Sequence, residues 1–460
     1  MGYRYYYNVE DKCVSIHKDY TIELQTQDKL QIVRTKKKNI QLTHSAYDFP
    51  SIKGADVEKQ LSNIRHIGFE VTDGCNLSCK YCAYGKYYND YDERKNRKID
   101  FDKSKIFLDY LLDKLSLDLN TNILNDIYIS FYGGEPLLNF DFIKKIVLYT
   151  KQIQGSSLKF HYMMTTNAVL LNNYIDFIVD NDFMLTISLD GNYLHDAYRK
   201  FPNGLDSYSL VYNNVKYIQS KYPDYFARKV GFNSVIHNLN NEEEVFSFIY
   251  KEFGKIPNLS GVSLSGVNVD YKDEFENLIK KKDTVDNSMG LSNIKKILDL
   301  EYDSNKILQR FIFNYSGNLF DDYNYLLYGV PFDRLPTGTC FPFSKRIFMT
   351  VNNKILPCER IGHQYALGVI KDTDVSIDCD SIAEKYNNYY RRLIGQCGNC
   401  AFFLHCSKCM FSIDNLDSNP VCENRSDYMR FDEYLEYNMG LLSENPMLYK
   451  RIMTEILIAN

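Results

Sequence analysis

The chain has no run approaching the ~20 uninterrupted apolar residues that a membrane span needs, so no membrane partner is expected. Met1 to Glu10 is tyrosine-rich and carries neither a basic leader nor an apolar core, so no secretory signal is read there and a cytoplasmic location is expected. Charge of one sign is not in excess. The 54 basic and 59 acidic residues leave a net charge of −5, which argues against nucleic acid or another polyanion as the main partner. Lysine runs such as Lys36-Lys37-Lys38 and Lys280-Lys281-Lys282 read as solvated faces. Low-complexity tracts and long-period repeats are also missing. What remains, 460 residues at 45% hydrophobic and 25% charged, is a globular composition with enough apolar mass for a large core and smaller modules.

Cysteine, by contrast, is abundant and unevenly placed. There are twelve, and a reducing compartment makes a disulfide framework the wrong explanation. Cys75, Cys79 and Cys82 fall together near the front. Cys340, Cys358, Cys379, Cys397, Cys400, Cys406, Cys409 and Cys422 crowd the last third, and only Cys13 stands apart. Structural thiols scatter as single buried residues, so two clusters with short internal spacings read as two metal-binding regions.

Residues 1–62 hold short alternating runs, Tyr20 to Leu24 and Leu30 to Val33, and read as a small β-rich module. From His66 apolar runs at 66–72, 127–132, 159–165, 184–189, 229–236 and 261–268 read as buried strands. Helical patterns separate them. The clearest runs from Asp102, read as N-cap, to Leu115; others lie near 140–153, 172–181, 209–221 and 242–253. This alternation predicts right-handed βαβ units and a parallel sheet over 63–270, either doubly wound or a barrel, with an incomplete barrel favoured. A bridging region follows at 271–338, with helices near 291–301 and 318–328. A module at 339–430 opens on a hairpin, Arg346 to Val351 and Lys354 to Pro357 around Asn352-Asn353, and a helical segment at 431–460 closes the chain.

The segment Val71-Thr72-Asp73-Gly74-Cys75-Asn76-Leu77-Ser78-Cys79-Lys80-Tyr81-Cys82 follows the first buried strand. Three thiolates from one loop can take three irons of a cubane and leave the fourth open to a small molecule. A zinc site is the weaker alternative, since three cysteines do not close a tetrahedron. Tyr132-Gly133-Gly134-Glu135-Pro136 ends the second strand, where glycines allow close backbone approach and Glu135 offers an acceptor to an ammonium.

On these residues the chain resembles the radical S-adenosylmethionine (SAM) superfamily, whose signature is this cysteine spacing with an aromatic residue, here Tyr81, before the last cysteine. The resemblance implies a partial (β/α)6 TIM-like barrel. It also implies SAM held on a [4Fe–4S] cluster and reductively cleaved to a 5'-deoxyadenosyl radical. Gly133, Gly134 and Glu135 would bind the methionine amino group. Thr165 and Asn167 at the third strand end, Ser188 at the fourth, and Arg199 on a following helix would line the rest of the pocket, with Arg199 pairing with the methionine carboxylate. Barrel-like α/β folds place active sites at that face.

The pattern Cys397-x2-Cys400-x5-Cys406-x2-Cys409 with flanking cysteines is too rich for one site. A zinc ribbon separates its knuckles by ~15–20 residues, so iron–sulfur is the favoured reading, although thiolates suit either metal. The pattern is similar to the SPASM extension of radical enzymes that modify peptides and proteins. That resemblance implies two auxiliary clusters, read as [4Fe–4S]: one on Cys340, Cys358 and Cys409, one on Cys397, Cys400, Cys406 and Cys422. The last central gap is shorter than in that family, and only one cysteine precedes the hairpin. The first auxiliary cluster is left with an open iron, and Cys379 stays open between a ligand and a free thiol. Glu359, after Cys358, matches the position of an acidic base in sulfatase-maturating relatives.

The expected function is a peptide maturase that abstracts hydrogen from a ribosomal precursor peptide and installs a thioether, carbon–carbon or ether cross-link. An external one-electron donor such as flavodoxin or ferredoxin would be its partner. The N-terminal module would grip a leader peptide by strand addition. The alternatives are an anaerobic sulfatase-maturating enzyme that forms formylglycine and a zinc-stabilised peptide-binding scaffold without catalysis.

Overall fold

The computed structural model describes residues 51–117, 119–120, 126–153, 158–279, 335–398, 400, 406 and 408–422, with the backbone of 13–17, 20–24 and 30–34. Two compact units divide the chain: 52–290 with 340–386, and 1–51 with 291–339 and 387–460. Residues 52–62 are grouped with the larger unit. The helices expected at 291–301, 318–328 and 431–460 lie outside the described residues.

In the smaller unit β1 (Cys13–His17), β2 (Tyr20–Leu24) and β3 (Leu30–Arg34) form an antiparallel sheet in chain order. In the larger unit α1 (Gly54–Leu61) leads into β4 (His66–Thr72), α2 (Phe101–Leu115), β5 (Asp126–Gly133), α3 (Phe140–Ile153) and β6 (Lys159–Thr166). Then come α4 (Ile175–Asp180), β7 (Met184–Ser188), α5 (Tyr208–Lys221), α6 (Pro223–Lys229), β8 (Val230–Ile236), α7 (Glu242–Phe253), β9 (Asn258–Gly261) and α8 (Lys272–Glu276).

Strands β4 to β9 are parallel, and each pairs with its neighbour in sequence. A doubly wound sheet reverses direction at a switch point; this one does not, so its right-handed crossovers put the helices on one side, as in a barrel. Edge strand β9 does not return to β4, which makes the barrel partial. Period-2 burial matches. Ile129, Phe131, Met164, Leu185, Ile187 and Phe232 are buried, while the alternating Tyr128, Ser130, Tyr132, Met163, Thr165, Thr186 and Ser188 are half-buried on the inner face. Phe69 of β4 meets Phe107 of α2 edge-on at 6.3 Å.

Two details differ from the sequence reading. The N-cap of α2 is Asp100, whose carboxylate accepts from Lys103 N at 2.9 Å, because Phe101 and Asp102 already belong to the first turn. The sixth strand is Asn258–Gly261 rather than 261–268; it is short and mostly exposed, so it carries little apolar signal.

The hairpin forms as β10 (Ile347–Met349) and β11 (Lys354–Leu356), with Asn353 in the left-handed region at φ 62. It does not start a separate sheet. β10 pairs parallel with β4, Phe348 opposite Gly68, and β12 (Gly368–Ile370) and β13 (Val375–Ile377) continue outward, giving one ten-stranded sheet. A side chain at Gly68 would collide with the Phe348 ring, 2.6 Å from an ideal Cβ. Helix α9 (Cys379–Cys397) follows. No described helix is long and apolar enough to cross a membrane.

Candidate active site

The C-terminal ends of β4 to β7 gather the residues singled out by sequence. The loop after β4 is fixed at both ends by backbone. At its base Asp73 accepts from Arg97 N at 2.6 Å and from Arg97 Nε at 2.9 Å; Thr72 Oγ1 donates to Arg97 O at 2.6 Å. Further along, Ser78 N donates to Lys200 O at 2.7 Å and Lys80 N to Tyr198 O at 3.0 Å. Cys75, Cys79 and Cys82 lie on this clamped loop and act electrostatically on one another.

Burial pushes the Cys75 thiol up to about 11 and the Cys79 thiol up to about 12. A bare thiolate is costly in such a place, and a bound metal that keeps it ionised relieves the cost. Two guanidiniums oppose the effect of burial, Arg94 near Cys75 and Arg199 near Cys79.

The Gly-Gly-Glu turn docks on the cysteine loop. Gly134 N donates to Thr72 O at 2.8 Å and Glu135 N to Gly74 O at 2.9 Å. An ideal Cβ on Gly134 would stand 1.9 Å from Gly74 O, and Gly133 has φ +127. The glycines are therefore required by the approach of two backbones. Gly134→Ala is expected to destabilise by about 1–3 kcal/mol, as overpacking does, and to lower both the melting temperature and the iron retained after anaerobic reconstitution.

Glu135 is fully buried, and burial raises its pKa against the hydrogen bonds it accepts. Its oxygens take Leu137 N at 3.1 Å, Thr166 Oγ1 at 2.7 Å and Asn167 N at 2.7 Å. Thr166, not Thr165, reaches Glu135, because alternation along β6 turns Thr165 to the half-buried inner face. Asn167 Nδ2 lies 3.7 Å from Cys75 Sγ and donates to Asn76 Oδ1 at 2.8 Å. Ser188 ends β7 on the inner face, paired through its backbone with Asn233.

Arg199 does not sit on a helix. It follows the short 3-10 turn Tyr193–Ala197 and is buried, its Nη1 donating to Tyr81 OH at 2.9 Å and standing 3.9 Å from Asp190 Oδ2. Tyr81 OH donates in turn to Asp190 Oδ2, whose other oxygen accepts from Val235 N at 2.9 Å. Arg199 Nε is buried without a partner, so one face of the guanidinium is left for an anionic ligand. Sequence reasoning missed Asp190 and Thr166 as contacts, although both lie in segments it had marked.

On the other side of the cysteine loop, Cys358 and Glu359 follow β11. Arg346 Nη1 donates to both Glu359 oxygens, at 2.6 and 2.7 Å. Although burial opposes it, Arg346 holds the carboxyl below its ordinary range. The glutamate expected to act as a base is thus already ionised and held by a cation, which weakens it as a proton acceptor. Arg346 also feels both Cys358 and Cys340. Tyr132 stands among Glu359, Cys82 and Cys358.

In the smaller unit, Cys397 is raised to about 12 by burial and then by Cys406, Cys422 and Cys400, which brings these four thiols together. Gln396 secures the group, its Nε2 donating to Pro420 O at 2.7 Å and its Oε1 accepting from Cys422 N at 3.1 Å. Cys409 belongs to this unit, Cys340 and Cys358 to the larger one. The Cys379 thiol is raised by burial, beside Glu58 and Lys114.

Residues 69–249 match the model of the Radical SAM superfamily. A cysteine-type anaerobic sulfatase-maturating enzyme of Clostridium novyi is 30% identical over 188 residues, 40% of this chain and 46% of that protein. A radical SAM cyclopropyl synthase of Paramaledivibacter caminithermalis is 23% identical over 373 residues, 77% of this chain and 70% of that protein. The chain spans about half the length of curated relatives such as the first. Among solved structures, anSMEcpe with bound AdoMet and Cp18Cys peptide superposes with TM-score 0.53 at 18% identity, covering 84% of this chain and 98% of that one; at that identity the likeness establishes the fold.

Proposed function

We propose that the chain, whose residues 69–249 match the Radical SAM superfamily model, is a radical SAM enzyme that modifies a ribosomally made precursor peptide, abstracting hydrogen and installing a thioether, carbon–carbon or ether cross-link. The observation that carries the reading is the convergence of the Cys75/Cys79/Cys82 loop, Glu135, Asn167 and Arg199 at one end of the sheet. When bound, SAM and the [4Fe–4S] cluster supply a one-electron reductive cleavage that generates the 5'-deoxyadenosyl radical.

Cys75, Cys79 and Cys82 would hold three irons and leave one corner for SAM. Arg199, its Nε free and its charge balanced by Asp190, offers a guanidinium to the SAM carboxylate. Glu135, with acceptor capacity beyond its three hydrogen bonds, would accept from the SAM amino group, as the family motif implies. Tyr81 and Asp190 hold Arg199 in place. Cys397, Cys400, Cys406 and Cys422 would hold one auxiliary cluster, with Cys340, Cys358 and Cys409 the expected ligands of another. An electron donor of the flavodoxin or ferredoxin kind would supply the reducing electron.

Sulfatase-type maturation is the second reading, favoured by Glu359 beside Cys358 and by the Clostridium novyi relative. The grip of Arg346 on Glu359 counts against it. The match of residues 69–249 to the Radical SAM superfamily model counts against the zinc scaffold. The test incubates the anaerobically reconstituted protein with SAM, a reductant and peptides encoded beside its gene. Loss of one hydrogen pair per bond is expected in the product mass. Exchange of a cysteine sulfur for oxygen together with loss of two hydrogens would establish formylglycine formation instead, and a Glu359→Gln protein should then lose product while still cleaving SAM.

A further inference from the structure

We infer that Arg94 is a positioning residue that sets the electron affinity of the cluster on Cys75, Cys79 and Cys82 through a hydrogen bond to the Cys82 sulfur. The inference rests on the cluster assignment above and concerns a side chain outside the family motifs.

Arg94 Nη2 donates to Cys82 Sγ at 3.3 Å. Its guanidinium lies over the Tyr84 ring, 4.4 Å from the centroid, a geometry in which a planar cation gains both stacking and charge–quadrupole attraction. Tyr84 is itself fixed: its hydroxyl donates to Glu70 Oε1 at 2.6 Å. Glu70 is buried on β4, and its second oxygen accepts from Val351 N, just past β10, at 2.9 Å. Tyr91 closes the wall behind Tyr84 at 4.8 Å and meets His363 at 5.0 Å.

The Arg94 guanidinium is therefore held by a ring and a sulfur, and its Nε is buried without a partner. Little competes for its charge. Reduction adds an electron to a cluster already surrounded by thiolates, so a nearby cation and an N–H···S bond favour the reduced state and raise the potential. The effect is strongest where water is excluded. The relay from Val351 through Glu70 and Tyr84 to Arg94 also ties this sulfur to the hairpin that carries Cys358. In sequence, Glu93-Arg94-Lys95 looks like an ordinary solvated charge run, which hid the residue.

The test is a potentiometric EPR titration of the anaerobically reconstituted full-length protein with SAM, following the SAM-responsive signal. Arg94→Met is expected to weaken reduction at least tenfold, about 59 mV more negative for one electron. Arg94→Lys should shift it less, because a point charge remains. Tyr84→Phe keeps the arginine and removes only its anchor, and should move the potential in the same direction. An Arg94→Met protein that titrates like wild type overturns the inference; if that variant takes up no iron, an unshifted Tyr84→Phe protein overturns it instead. A wild-type protein with no SAM-responsive signal overturns the cluster assignment itself, an outcome distinct from an unshifted variant.

Discussion

An anaerobically reconstituted Cys79→Ala protein releases no 5'-deoxyadenosine from SAM above the rate seen without enzyme, and it loses the share of iron carried by one cluster. Burial raises the Cys79 thiol to about 12. Alanine would leave one iron of the proposed cluster without a protein ligand: of the groups that act on Cys79, Cys75 and Cys82 are assigned to the other two irons, Arg199 is a cation, and Asp190 is tied to Tyr81 and Val235. The quartet at Cys397, Cys400, Cys406 and Cys422 lies in the other unit, so the iron of the auxiliary cluster proposed there should remain. High-performance liquid chromatography of the nucleoside and iron analysis measure the two effects separately. Full 5'-deoxyadenosine release by the variant would remove the basis of the proposed chemistry.

Arg199→Met is expected to act on both binding and folding. The guanidinium is buried and stands between Tyr81 OH and Asp190; without it the Asp190 carboxylate keeps Tyr81 and Val235 N but loses its counter-charge. Removing one partner of a buried pair costs about 3–5 kcal/mol, enough for a clear fall in melting temperature. A charge-assisted bond of the proposed kind to the SAM carboxylate is worth about 1.5–3 kcal/mol, so SAM affinity is expected to fall roughly ten- to a hundredfold on top of the stability loss. Calorimetric titration of SAM at a temperature where the variant is folded separates the two. A double variant, Arg199→Met with Asp190→Asn, should recover part of the stability and none of the affinity. Unchanged SAM affinity in the single variant would show that the carboxylate binds elsewhere.

The parts of this architecture that could be read from sequence are those in which periodicity or spacing is local. β4 to β8 announce themselves by alternating apolar runs, and α3 and α7 by amphipathic windows whose ends match within a residue. The cysteine loop is legible because the chemistry demands three sulfurs close in the chain. Long-range partners were not legible. Asp190 meets Tyr81 across 109 residues and Glu70 meets Val351 across 281, and no local pattern encodes such a pairing. No local pattern marks Arg94 or Arg346, whose partners Cys82 and Glu359 are brought to them by the fold. The strand Asn258–Gly261, with polar and small residues, was misplaced because pairing with β8 rather than burial defines it.

The parallel pairing of β10 with β4 bears on how the catalytic half can be isolated. A fragment ending near residue 270 would leave the outer edge of β4 stripped of its backbone partners and the groove over Gly68 without the Phe348 ring that fills it. Such a fragment presents an open, apolar strand margin of the kind that recruits other chains. The first barrel strand, from which the cysteine loop springs, thus depends for its solubility on a segment encoded some 280 residues downstream, as the separation of Val351 from Glu70 measures.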